Sequence, residues 1–152
     1  MNVAISSDHR GYLAKEQLKA YLKSRGVEVR DFGCKDPSSC DYPDSAIPAA
    51  QSVAKNESDL GIFMCGTGIG MSITANKVPG IRAALCHDEL TAELSRRHND
   101  ANVLCLPADL IGEELIRRVV DVWLSAEFEG GRHERRIEKI TAFESNGQQS
   151  GG

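Results

Sequence analysis

The chain has 152 residues, a net charge of −4 and 41% hydrophobic residues. That is enough for one domain with a proper core, and it offers no basic surface for nucleic acid or an anionic membrane. No run approaches the roughly 18 apolar residues of a membrane span. The opening Met-Asn-Val-Ala-Ile reads as a strand, not an export signal, so the expected location is the cytoplasm.

The elements alternate. Asn2–Ser7 is a short apolar strand; Leu13, Ala14, Leu18, Tyr21 and Leu22 then recur at helical spacing until Gly26. Val27–Phe32 alternates as a second strand, nearer the edge. Residues 33–44 form a polar loop with Pro37 and Pro43, and Ala46–Ala54 reads as a helix. Asp59–Cys65 is a buried third strand. Met71–Ala75 is a short helix closed by Pro79-Gly80, and Ile81–Cys86 is the fourth strand. Glu89–Arg97 is a helix and Val103–Leu106 the fifth strand. Ile111, Leu115, Ile116, Val119, Val120 and Trp123 mark a long amphipathic helix. Gly130-Gly131 breaks it, and Arg132–Phe143 forms the last helix. Residues 1–144 make one domain, and the Ser/Gln/Gly-rich residues 145–152 are expected to be disordered.

Five strands separated by helices predict an α/β, Rossmann-like three-layer αβα sandwich with a five-stranded parallel sheet. Such sheets bind ligands beyond the carboxyl ends of their strands. Ser7-Asp8-His9, Cys65 with its glycines, and His87-Asp88 should therefore share one rim.

The segment Cys65-Gly-Thr-Gly-Ile-Gly70 carries the strongest chemical signal. Three glycines in five residues cost backbone entropy and serve a special conformation or a close approach. Convergent N–H groups at a helix start favour negative charge, on a ligand or on the thiol itself. The order of glycines is not the dinucleotide G-x-G-x-x-G, and the turn follows the third strand, not the first. A P-loop lysine is absent. Met71 stands where a cysteine phosphatase needs its arginine.

The other candidates each have two readings. Asp8 either caps the first helix or belongs with His9 to the ligand rim. His98 either complements a helix end or acts as an acid or base near neutrality. Arg132 and Arg136 share one helix face, as a solvated charged surface or a phosphate clamp. His87 and His133 are expected on the solvated surface. Five cysteines, an odd number in an unexported chain, argue against a disulfide framework. Cys34 and Cys40 have no second close pair to complete a zinc site, while Cys86 and Cys105 read as small core residues.

Together, Ser7-Asp8-His9, Asp41-Tyr42-Pro43, Cys65–Gly70, Asn76-Lys77, Gly80-Ile-Arg82, His98-Asn99 and Gly130-Gly-Arg-His133 through Arg136 resemble the ribose-5-phosphate isomerase B family, which also contains galactose-6-phosphate isomerase subunits. The resemblance implies an aldose–ketose isomerase of sugar phosphates without metal or other cofactor. It also implies a homodimer, or a dimer of dimers, with sites between subunits. Cys65 would move a proton between C2 and C1 of the sugar, and Thr67 a proton between O1 and O2. Asp8 and His98 would open the furanose ring. Tyr42 and Asn99 would hold hydroxyls, and the N–H groups along Gly66, Gly68, Ile69 and Gly70 would face the enediolate. His9, Arg132 and Arg136 would take the phosphate, the arginines donated across the interface. Ribose 5-phosphate is the expected substrate. A related hexose phosphate such as allose 6-phosphate, or a sensor without turnover, are the alternatives. One position departs from the family pattern: Asp109 stands where arginine is common, which bears on phosphate affinity and sugar choice. Its place also suits a cap for the following helix.

Overall fold

The computed structural model describes residues 1–149. Its elements run β1 (Asn2–Ser7), α1 (Tyr12–Ser24), β2 (Glu28–Asp31), α2 (Tyr42–Ala54), β3 (Leu60–Cys65), α3 (Ile69–Asn76), β4 (Ala83–Leu85), α4 (Glu89–Asn99), β5 (Val103–Pro107), α5 (Glu113–Ser125) and α6 (Arg132–Gln149). The strands form one parallel sheet in the order β2-β1-β3-β5-β4, with β2 at an edge as its alternating pattern predicts.

Side-chain alternation divides the core in two. Leu60, Ile62 and Met64 of β3 pack with Leu18 and Leu22 of α1, Ala92 of α4, and Ile116, Val119, Val120 and Trp123 of α5. Phe63 and Cys65 point the other way, to Ala46, Ala49, Ala50 and Val53 of α2 and Met71 and Ala75 of α3. The period of two in the strand and the i, i+3, i+4 spacing in the helices generate these layers directly. The buried Trp123 indole donates Nε1–H to Ser95 Oγ at 3.2 Å, which ties α5 to α4 without an orphaned donor.

Among the boundaries that differ from expectation, three stand out. Helix α2 starts at Tyr42, four residues early, because Pro43 falls in its first turn, where a missing N–H costs nothing. Pro48 lies within the same helix. Strand β4 is only three residues long, since Arg82 and Asn102 already bond across its start. Ser145–Gln149 continue α6 instead of beginning a disordered tail; the rest of that expected tail, residues 150–152, lies outside the described residues.

Candidate active site

In this strand order the chain passes to opposite sides of β1, with β2 on one flank and β3 on the other. That is the switch point where open parallel sheets form a ligand crevice. Asp8 and Cys65 leave the carboxyl ends of β1 and β3 there. The Asp8 N–H donates to the Met64 carbonyl at 3.3 Å. Asp8 Oδ1 accepts the N–H groups of Arg10 (3.0 Å) and Gly11 (3.1 Å). The residue capping α1 is Gly11, so Asp8 is a buried acid on the loop rather than the helix cap. Its Oδ2 makes no hydrogen bond among the described residues.

The turn after Cys65 explains its glycines one at a time. Gly68 is left-handed (φ 75°) and donates its N–H to Cys65 Sγ at 3.1 Å. A Cβ on Gly66 would sit 2.7 Å from Asp109 Oδ2 and 2.8 Å from Arg10 Nε. One on Gly70 would lie 2.7 Å from the Tyr42 ring, which covers the start of α3. Thr67 is exposed, and its Oγ1 accepts the Ile69 N–H at 3.3 Å, with Ile69 itself exposed. The first N–H groups of α3 have no carbonyl partner within the helix and open towards this rim.

His9 completes the rim. Its Nδ1 lies 3.2 Å from the Cys40 carbonyl and 3.3 Å from the Cys40 nitrogen. Contrary to the expectation of free thiols, Cys34 and Cys40 are disulfide-bonded, closing the loop that holds His9. Beneath it lies Lys15, only 1% exposed, with Nζ on Asp31 Oδ2 (2.7 Å) and the Cys34 carbonyl (3.1 Å). Asp109 does not cap α5, whose cap is Gly112. It takes the Arg10 Nε–H at 2.6 Å, so a paired guanidinium stands at the Gly66 turn. His87 is exposed as expected, and Asp88 caps α4 through the Thr91 N–H at 2.7 Å.

The remaining candidates stand elsewhere. His98 and Asn99 end α4, and Arg82, just before β4, donates to the Asn99 carbonyl at 3.0 Å. This is the end of the sheet where β4 and β5 begin. Cys65 pairs with Pro107 and Gly61 with Val103, so the two ends are separated by four strand residues, about 13 Å. Arg132 and Arg136, both exposed, belong to the His98 end, since α6 opens beside it. One chain therefore does not bring Cys65 and His98 together.

At that second end the surface expectation for His133 fails. The ring is 6% exposed and stacks on His98, centroids 4.3 Å apart and planes 8° from parallel. Burial pushes its pKa below the usual 6.5, and the neighbouring His98 and Arg132 charges push the same way. Glu129 Oε2 lies 3.6 Å from His133 Nε2 and 3.8 Å from His98 Nε2. These three residues could in principle hold a metal ion. As placed they fit one poorly: the in-plane lone pairs of parallel stacked rings do not converge, and Arg97 already grips Glu129. Cys86 and Cys105 are buried core thiols whose pKa values burial raises, as their apolar surroundings predicted.

Residues 3–140 match the family described as Ribose/Galactose Isomerase. The chain belongs to the ribose/galactose isomerase family. It is 49% identical over 142 residues to ribose-5-phosphate isomerase B of Escherichia coli, covering 93% of this chain and 95% of that protein. The ribose-5-phosphate isomerase B structure from Clostridium thermocellum superposes with a TM-score of 0.95 at 50% identity, over 96% of this chain and 99% of that one. The Mycoplasma genitalium enzyme, solved with bound ribulose-5-phosphate, gives a TM-score of 0.91 at 45% identity, over 95% and 96% of the two chains. The family fold is thus the one seen here. Sequence reasoning had no signal for Lys15, Glu129 or the Arg10–Asp109 pair, because Lys15 works through Asp31, Glu129 through Arg97 and His98, and Arg10 through Asp109, each distant in the chain.

Proposed function

We propose that this protein is an aldose–ketose isomerase interconverting ribose 5-phosphate and ribulose 5-phosphate. In this reading it acts as a homodimer in which one subunit's Cys65 turn meets the other subunit's His98 and arginines. The observation behind the dimer is the split described above: the candidate acids and bases sit at opposite ends of one sheet. Exposed Ile140 and Phe143 on α6, beside a groove of about 510 Å³ lined by Ile81, Asn99 and Ile137, supply apolar surface for such a contact.

The chemistry follows from the site. Asp8 and His98 open the furanose by moving a proton from the anomeric hydroxyl to the ring oxygen. Cys65 takes the C2 proton, and charge develops on the enediolate oxygens beside the Gly66–Gly70 N–H groups. One such preorganised donor contributes on the order of 3 kcal/mol to a transition state. Thr67 shuttles the hydroxyl proton, and Cys65 returns its proton at C1. His9, Arg132 and Arg136 hold the phosphate, while Tyr42 and Asn99 hold hydroxyls. The proton transfers call for no cofactor. The working compartment in this reading is the cytoplasm, because phosphorylated sugars do not cross membranes unaided.

The test is an assay on ribose 5-phosphate and allose 6-phosphate with the wild type, Cys65→Ala and His98→Ala. Each variant should lose about 10²–10⁴-fold in turnover. Co-expressing the two dead variants should restore about a quarter of wild-type activity, since half the dimers are mixed and one of their two sites is intact. Wild-type turnover in Cys65→Ala rules out the base. A mixture that stays dead, with mixed dimers present, rules out the shared site.

A further inference from the structure

We infer that Glu129 is a positioning residue for His98: it holds the ring-opening imidazole and stabilises it once it has taken the anomeric proton. This rests on the isomerase reading above. Three observations carry it. Arg97 binds Glu129 Oε1, with Nε at 2.6 Å, and the Glu129 N–H donates to the Arg97 carbonyl at 3.0 Å, so both carboxylate and backbone are fixed to the end of α4. That grip leaves Oε2 facing the Nε2 atoms of both histidines. His133, buried and stacked on His98, has its Nε2 sealed from solvent with no hydrogen-bond partner.

The two rings have different parts. His133, whose burial disfavours its charged form, is a flat wall against which His98 keeps its orientation. The carboxylate then serves the more exposed ring, His98, as an acid serves a catalytic histidine elsewhere. Among the described residues, the carboxylate within 4 Å of His98 Nε2 is Glu129, from the α5–α6 loop. His133 faces His98 from α6, and the Arg132 and Arg136 charges act on the His133 ring. The proton balance is simple: the anomeric O–H breaks, N–H forms on His98, and the proton leaves to the ring oxygen as the C–O bond opens.

The test separates ring opening from enolisation. Ribulose 5-phosphate has no ring, so solvent deuterium can enter at C1 by Cys65 chemistry alone. In Glu129→Gln, conversion of ribose 5-phosphate should fall about tenfold or more, while deuterium exchange into ribulose 5-phosphate stays within about twofold of wild type. Glu129→Asp, which keeps the charge, should return conversion towards wild type. Thermal melting of each variant checks folding. An unchanged exchange-to-conversion ratio in folded Glu129→Gln overturns the inference. So does a loss of conversion in folded Glu129→Asp as large as in Glu129→Gln. Wild-type protein that converts no ribose 5-phosphate overturns the isomerase reading itself.

Discussion

Gly68→Ala tests the physical account of the Cys65 turn. The residue is left-handed at φ 75°, which costs an L side chain about 1–2 kcal/mol. Its new Cβ would also lie 2.5 Å from Leu85 Cδ1 and 3.1 Å from the Leu106 carbonyl carbon. The leucine tip can swing away, but the β5 backbone cannot, and such overpacking costs about 1–3 kcal/mol. The sum is about 2–5 kcal/mol. Gly26→Ala is the matched control. Its φ is 77°, yet nothing lies within 4 Å of a Cβ there, so only the backbone cost of about 1–2 kcal/mol applies. Urea unfolding of both variants at one protein concentration isolates the packing component as their difference. Gly68→Ala should also slow turnover, since its N–H holds the Cys65 sulfur. If the two variants lose the same stability within about 0.5 kcal/mol, the close packing of this turn against β5 is wrong.

Lys15→Met removes the ammonium beneath the His9 loop and should cost about 2 kcal/mol at neutral pH, as for lost hydrogen bonds to charged groups. Burial raises the Asp31 pKa, but Lys15, Lys19 and the Gly33 N–H outweigh it and hold the carboxyl below its usual 3.8. The stabilisation from Asp31 is therefore complete above that value and is lost as pH falls through the folded one. Denaturation at pH 6 and pH 3 should show the gap between wild type and variant narrowing in acid; a gap that widens contradicts the pairing. Thiol titration of denatured, unreduced protein should find Cys65, Cys86 and Cys105 free, with two more thiols after reduction. Reduction should cost about 2 kcal/mol of stability for so short a loop. Five free thiols before reduction would show that Cys34 and Cys40 are not bonded.

The layers were legible because strand and helix periods sort side chains by geometry alone. Leu60, Ile62 and Met64 against Phe63 and Cys65 needed no knowledge of tertiary structure. The Cys65 glycines were legible for a related reason, since glycine marks a backbone demand before its cause is known. Gly66 is the clear example: the cause, an Arg10–Asp109 pair, joins residues on opposite sides of β3. Helix α2 was mistimed because proline reads as a breaker, whereas in a first helical turn it is a starter. His133 was misplaced because its neighbours Arg132, Glu134, Arg135 and Arg136 are all charged, and only the fold shows that it is the residue turned inward. The helix cap that Asp109's place in the sequence also suited is not made, because its partner Arg10 comes from the β1–α1 loop.

The separation of the two half-sites along the sheet carries over to the rate law. If neither chain holds a whole site, the catalyst is an equilibrium species and not a fixed fraction of the protein present. In the dimer proposed above, activity below the dissociation constant of the pair scales with the square of protein concentration, and an unpaired subunit is an inactive reservoir. Expression level then sets catalytic output steeply, with no effector and no change in any active-site residue.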